Sequence, residues 1–322
     1  MSAVESENPP STSGAAAPRL VVSVPGNALR EALGPVPDGV ELIEWKMSGP
    51  APVPHIDIVV PPYMGSTPLL ANLAGTTTRL VQSQSIGYDD VDLVLPPGHV
   101  FANASSVHEA STAELTLALI LASQRGIPDF VRAAAEGRWA PARHASLADR
   151  TVLIVGYGGV GQAIEARLLP FETTVVRVAS TARESAHGHV HGIDELPALL
   201  PLADIVVVVV PLTPSTAGMV DEAFLAAMPD GALLVNVARG AVANTSALLA
   251  EARSGRLRLA LDVTDPEPLP AGHPLFALPN VLITPHVGGA STAMMPRMAR
   301  LLADQIERML RGDDPRNVVL RS

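Results

Sequence analysis

From Arg19 onward, short apolar runs alternate with segments in which apolar residues return roughly every three to four positions. Runs that are apolar throughout suit strands buried on both faces, and the longer period suits helices laid against such a sheet. The rhythm predicts an α/β chain whose parallel sheets are covered by helices on both sides. "RLVVSVP", "VELIEW", "HIDIVVP", "TRLVQSQ" and "GHVFAN" read as strands, with "NALREALG" and "STPLLANLAG" as helices between them. A long helix is expected across "STAELTLALILASQRGIPDFVRAAAEG", interrupted near Pro128, and then a loop at "WAPARHASLADR". A second set of strands follows at Thr151 to Val155, Thr174 to Ala179, Ile205 to Val210, Ala232 to Val235, Arg258 to Asp262 and Val281 to Thr284. The last long helix, "STAMMPRMARLLADQIERMLRG", comes after that set is complete and is free to return to the first unit. The resulting division is a loose tail at 1–18, one domain from 19–104 with 292–322, and a larger domain at 105–291.

"TVLIVGYGGVGQAI" opens the second set. A buried strand runs into Gly156, Gly158 and Gly161, and "VGQAIEARLLPF" continues as a helix, the order that dinucleotide binding requires. Gly156 permits the tight turn, Gly158 lets the backbone approach a pyrophosphate, and Gly161 lets helix and strand pack closely. The helix N-terminus at Gly159 and Val160 adds unpaired N–H groups and a partial positive charge. At the end of the second strand an acid is expected to bind the ribose hydroxyls of NAD, but "VVRVASTARES" has none before Glu184. Ser180, Thr181 and Arg183 instead offer hydroxyls and a cation suited to a 2′-phosphate, so NADP is favoured over NAD.

Three further strand ends present chemistry at one edge, where open α/β sheets bind ligands. Arg239 follows "ALLVN", Glu267 lies in "TDPEP" after "LRLALDV", and His286 follows "NVLITP" beside Gly288 and Gly289. A guanidinium to hold an acid and polarise a carbonyl, with an imidazole backed by a carboxylate, is the equipment of proton-coupled reduction. His187, His189 and His191 alternate in "HGHVH" like metal ligands, yet no acid or cysteine nearby completes a set, so a solvated loop and no metal are expected.

Composition limits the partners. Of 322 residues 48% are hydrophobic and 17% charged, enough apolar material to bury cores. No apolar run approaches the roughly 20 residues of a membrane helix, and Met1 to Pro18 lacks the basic start and apolar centre of a signal peptide, so a cytoplasmic protein with no membrane partner is expected. The formal net charge of -10 argues against a general grip on nucleic acid. Without cysteine there are no disulfides, thiolate metal sites or cysteine nucleophiles.

"TAELTLALILA", "VGYGGVGQAI", "ADIVVVVVPLTPSTAGMVD", "MPDGALLVNVARGAVANTSAL", "LALDVTDPEPLP" and "VLITPHVGGAS" together resemble the successive motifs of the D-isomer-specific 2-hydroxyacid dehydrogenase family, in its order and spacing. The resemblance implies a Rossmann-type doubly wound cofactor domain and a smaller flavodoxin-like substrate domain, with the active site in the cleft between them. It implies catalytic Arg239, Glu267 and His286, with Glu267 keeping the imidazole charged, and a substrate carboxylate cradled by the N–H groups of Ile86 and Gly87 in "SQSIGYDDVD". Cofactor contacts are implied at Thr112, Pro211, Thr216, Val237, Asp262 and Gly288, and a homodimer through the 105–150 region. "DVTDPEPLPAGHPLFALPN" and "GRWAP" look most like the glyoxylate/hydroxypyruvate reductases, members of which use NADPH to reduce a small 2-keto acid to the D-2-hydroxy acid. Two positions depart from many relatives, Val209 in place of histidine and Asn244 in place of aspartate. D-3-phosphoglycerate dehydrogenase remains a rival, although Lys46 is the only lysine and no basic cluster near Ile86 matches a second anion. A dinucleotide-sensing binding protein remains another, since fold alone does not establish catalysis.

Overall fold

The structure, a computed structural model, describes residues 20–322; the expected tail at 1–18 lies outside the described residues. The chain begins with β1 (Leu20–Val24), α1 (Asn27–Leu33), β2 (Val40–Glu44), β3 (His55–Val59), β4 (Thr77–Gln82), α2 (Val91–Val94) and β5 (Val100–Ala102). Next come α3 (Glu109–Gln124), α4 (Ile127–Ala135), β6 (Thr151–Val155), α5 (Gly159–Leu168), β7 (Thr174–Val178), β8 (Arg183–Ser185) and β9 (Gly188–Val190). The remainder is α6 (Leu196–Leu199), β10 (Ile205–Val208), α7 (Glu222–Ala227), β11 (Leu233–Asn236), α8 (Thr245–Ser254), β12 (Arg258–Leu261), β13 (Val281–Ile283), α9 (Met294–Arg311) and β14 (Val318–Arg321).

Two compact units result. The first comprises residues up to Gln84, Asp90–Ala102 and Leu302–Ser322; the second comprises Ser85–Asp89 and Asn103–Leu301. In the first, six strands lie in the order β14-β5-β4-β3-β1-β2, parallel except where β14 runs against β5. The order around β1 is the flavodoxin-like one. Trp45, Ile56, Leu70, Val81 and Phe101 pack together in its core.

The second unit carries six parallel strands in the order β13-β12-β11-β10-β6-β7, so the winding reverses between β6 and β10. Its strands are apolar at consecutive positions because each face has its own core. Leu153, Val155, Val206, Val208, Leu234 and Leu259 point to one side, and Val152, Ile154, Ile205, Val207, Leu233 and Ala260 to the other. Parallel strands with helices on both faces require this double burial. Because all its strands are parallel, the C-terminal ends of β6, β10, β11, β12 and β13 share one edge, and the reversal makes that the ligand edge of a doubly wound sheet.

The helix expected at "STPLLANLAG" is a 3-10 helix (Thr67–Leu73), its turn started by Pro68. Three expectations need correction. "HGHVH" is no loop: His189 lies in β9, which pairs with β8 as an antiparallel hairpin, and His191 extends the edge of β7 through a parallel bridge to Val178. Ser85–Asp89 goes with the second unit, not the first, because Ala104 N–H donates to Ser85 O (2.9 Å), Asn103 Nδ2 to Ile86 O (2.9 Å) and Arg239 to Asp89. The last helix starts at Met294 and passes to the first unit at Leu302, ten residues after the expected boundary at 292. There Gln305 Nε2 donates to Gln82 Oε1 at 2.7 Å, anchoring α9 on β4.

Candidate active site

The glycine loop has the dimensions its sequence implies. Gly156 has φ 111, and a Cβ there would lie 2.6 Å from Val209 O, so β6 and β10 converge too closely for any side chain. A Cβ at Gly161 would collide with the Gly156 carbonyl, whereas nothing lies within 4 Å of one at Gly158, which leaves that backbone open to a ligand. At Gly159 a Cβ would stand 3.2 Å from Glu109 Oε1, a carboxylate that also accepts the Ser106 N–H at 2.5 Å. Val160 is half-buried in the first turn of α5. The N–H groups at a helix start and an open glycine surface fit a pyrophosphate.

The residue between the first two glycines, Tyr157, is buried, and its hydroxyl donates to Glu165. Arg177 on β7 also donates to Glu165, through Nε at 2.9 and 3.0 Å and through its terminal nitrogen. Burial alone would raise the Glu165 carboxyl, but hydrogen bonds from Arg177 and Tyr157 hold it below the ordinary carboxylate range. Burial and the neighbouring carboxylate both push the Tyr157 hydroxyl up, which keeps it a donor. This buried ion pair escaped the sequence reading; Arg177 sits in an otherwise apolar strand, the signal that it needed a partner.

Beyond β7, Ser180 and Thr181 are exposed, and Arg183 leans back over the glycine loop, its terminal nitrogen donating to Tyr157 O at 2.9 Å. No acid stands at the strand end itself, where Ala179 N–H donates to His191 O. This strand end is compatible with either nicotinamide dinucleotide, and a guanidinium over the loop suits one with an extra phosphate.

Arg239 lies directly on the backbone of Gly87, so closely that a Cβ at Gly87 would overlap the guanidinium. Its Nε donates to Asp89 Oδ2 at 2.8 Å and a terminal nitrogen to Ala238 O at 2.7 Å. Gly240 is forced on the next residue, since a Cβ there would overlap the Thr264 carbonyl. The cradle and the candidate carboxylate-binding arginine, far apart in sequence, are thus in contact. Asp89 was missed because nothing local marks it as the arginine's anchor.

His286 Nδ1 and Glu267 Oε1 are 2.6 Å apart, with side chains 35% and 42% exposed, so the pair is formed and open to a substrate. A carboxylate only accepts, so Nδ1 is the donor in this contact, which leaves Nε2 as the ring nitrogen available to a ligand. His286 has φ 52, an unusual backbone state for a residue with a side chain. Asp262 holds it there: its carbonyl accepts the His286 N–H at 2.7 Å, and its buried carboxylate accepts from Thr284 Oγ1, Val287 N and Gly288 N at 2.6, 2.9 and 2.9 Å. Asp262, expected as a cofactor contact, has its oxygens engaged in shaping this loop. A Cβ at Gly288 would lie 3.0 Å from Asp262 Oδ2 and 3.4 Å from Thr112, which brings those three expected residues together.

The other expected contacts have local duties. Thr216 Oγ1 donates to Pro211 O at 2.6 Å and closes the turn after β10, and Val237 N–H donates to Val208 O at 3.1 Å within the sheet. Asn244 caps α8, its Oδ1 accepting from Ala247 N at 3.0 Å, so amide serves as well as carboxylate at that position.

Residues 117–288, just over half of the chain, match the family described as D-isomer specific 2-hydroxyacid dehydrogenase, NAD binding domain. The human glyoxylate reductase/hydroxypyruvate reductase is 32% identical over 293 residues, covering 85% of this chain and 89% of the relative. D-3-phosphoglycerate dehydrogenase of Methanocaldococcus jannaschii is 31% identical over 75% of this chain and 47% of its own length. Among solved structures, a D-isomer specific 2-hydroxyacid dehydrogenase from Xanthobacter autotrophicus Py2, crystallised with NADPH and MES, superposes with a TM-score of 0.77 at 29% identity, over 94% of this chain and 98% of that one. With its flavodoxin-like and doubly wound sheets, its open glycine loop and these matches, the chain belongs to the D-isomer specific 2-hydroxyacid dehydrogenases.

Proposed function

We propose that this chain reduces a small 2-keto acid of the glyoxylate or hydroxypyruvate kind to its D-2-hydroxy acid, with NADPH preferred over NADH. The observation that carries this reading is the pairing of His286 with Glu267 at 2.6 Å, in the same unit as a guanidinium seated on the Gly87 backbone. Gly156, Gly158, Gly159, Val160 and Gly161 would hold the pyrophosphate, Ser180, Thr181 and Arg183 the adenosine end, and Thr112, Pro211, Thr216, Val237 and Gly288 the remainder. When bound, the reduced nicotinamide supplies hydride to the carbonyl carbon. Arg239 and the Ile86 and Gly87 N–H groups receive the carboxylate, and the guanidinium draws electron density onto the carbonyl oxygen. His286 passes the Nε2 proton to that oxygen, while Glu267 keeps Nδ1 and offsets the imidazolium charge.

Asp89 favours a substrate with a single negative charge, because a carboxylate 2.8 Å from Arg239 opposes a second anion beside it. That weighs against a phosphorylated keto acid. A homodimer belongs to the same reading, supported by the exposure of Ile127 (48%), Val131 (63%) and Trp139 (97%) on one stretch of the second unit. So does a cytoplasmic location; among the described residues no helix is long and apolar enough to cross a membrane. The test is a panel of glyoxylate, hydroxypyruvate, pyruvate and phosphohydroxypyruvate with each reduced cofactor. The highest kcat/KM is expected for glyoxylate or hydroxypyruvate with NADPH, and turnover confined to phosphohydroxypyruvate, or absent, would refute the reading.

A further inference from the structure

The hairpin of β8 and β9 holds a side-chain cluster that keto-acid reduction leaves unused. His189 and His191 stand two residues apart along an extended segment, so both imidazoles leave the same face; the rings meet edge to face with centroids 4.7 Å apart. The His191 backbone is fixed on both sides, its N–H donating to Arg177 O at 2.8 Å and its carbonyl accepting from Ala179 N at 3.0 Å. Glu195 follows in the next turn. Its Oε1 accepts the Gly192 N–H at 2.9 Å and its Oε2 meets His191 Nδ1 at 2.8 Å. The acid that the sequence reading did not find is therefore present, held at the imidazoles by a turn. One donor atom from each of His189, His191 and Glu195 lies within 4.8 Å of the others. Glu184, opposite His189 across the hairpin, brings its Oε1 to 2.8 Å from His189 Nδ1.

We propose that His189, His191 and Glu195 bind one divalent transition-metal ion of the zinc class, with water completing the coordination. Two imidazoles and a carboxylate suit zinc and its neighbours in the first transition row, whereas magnesium and calcium prefer all-oxygen sets. A tetrahedral ion about 2.0–2.2 Å from each ligand needs donors roughly 3.3 Å apart. The side chains of His189, His191 and Glu195 are 48%, 29% and 41% exposed, which leaves them room to rotate into that spacing while the backbone stays put. Glu184 orients the His189 ring, as carboxylates do behind metal-bound histidines. The bound ion ties the hairpin to the turn that follows it, and the segment so tied includes Arg183.

The test is calorimetric titration of Zn²⁺ into the chelator-treated full chain in excess Mg²⁺, a readout independent of any reductase activity. One equivalent is expected to bind in the parent and in His187→Ala, whose imidazole is outside the set. Affinity is expected to fall at least about tenfold in Glu195→Gln and further in His189→Gln/His191→Gln. Circular dichroism checks that each variant is folded; should the double variant not fold, Glu195→Gln alone decides. No binding in the parent, or binding that Glu195→Gln leaves unchanged, overturns the proposal.

Discussion

Arg183, a strand residue, becomes part of the glycine loop, because its guanidinium reaches 2.9 Å from the Tyr157 carbonyl. A phosphate arriving beside that loop meets a cation already in place, and a charge-assisted hydrogen bond contributes about 1.5–3 kcal/mol. Arg183→Ala is therefore expected to raise KM for NADPH about tenfold or more while leaving KM for NADH nearly unchanged. Parallel steady-state kinetics with the two cofactors check this, and an equal loss for both would show that Arg183 supports the loop rather than reading the phosphate. Other residues act one step behind the proposed catalytic side chains. Asp262 holds His286 in its left-handed backbone conformation, and Asp89 holds Arg239 against Gly87. Neither role was legible in sequence: Asp89 and Arg239 are 150 positions apart, and only folding makes them neighbours.

At the scale of elements, β6, α5 and β7 are joined by more than apolar packing. Glu165 on α5 is 1% exposed and is satisfied by Arg177 from β7 and Tyr157 from the loop. Removing one partner of a buried pair strands the other, so Glu165→Gln is expected to lower unfolding stability by about 3–5 kcal/mol, and Glu165→Gln with Arg177→Gln by less than the sum of the single changes. The pH dependence has a definite sign. Because the folded carboxyl titrates below its ordinary value of 4.5, its contribution is complete above that value and is lost as pH falls through the folded one. Urea unfolding of parent and Glu165→Gln across the acid range should show the difference between them shrinking below pH 4.5. A gap independent of pH would assign the loss to packing instead. The strands of this unit were legible because double burial leaves unbroken apolar runs. The hairpin was not, since β8 and β9 are three residues each and mostly polar and exposed, and carry no period that separates them from a loop.

For the whole molecule, the order of motifs along the chain already implied two α/β units and which strand ends carry Arg239, Glu267 and His286. What it did not convey was where one unit stops, because Ser85–Asp89 is sequence-adjacent to the first and hydrogen-bonded into the second. Trp139, 97% exposed, is costly to leave in water, and Val131 and Ile127 add to the same apolar stretch. Sedimentation equilibrium is expected to report a dimer, and Val131→Asp with Trp139→Ser a species of half the mass; a parent that remains monomeric at high concentration would contradict the proposed pairing.

The reaction proposed above rests on the imidazole of His286 as proton donor. The measurement that bears on it most directly is turnover of NADPH with glyoxylate or hydroxypyruvate by the parent and by His286→Ala, alongside NADPH affinity from fluorescence titration. Loss of general acid catalysis is expected to lower kcat by about 10²–10⁴ with little change in NADPH affinity. A variant that turns over within a few-fold of the parent would show that another group delivers the proton.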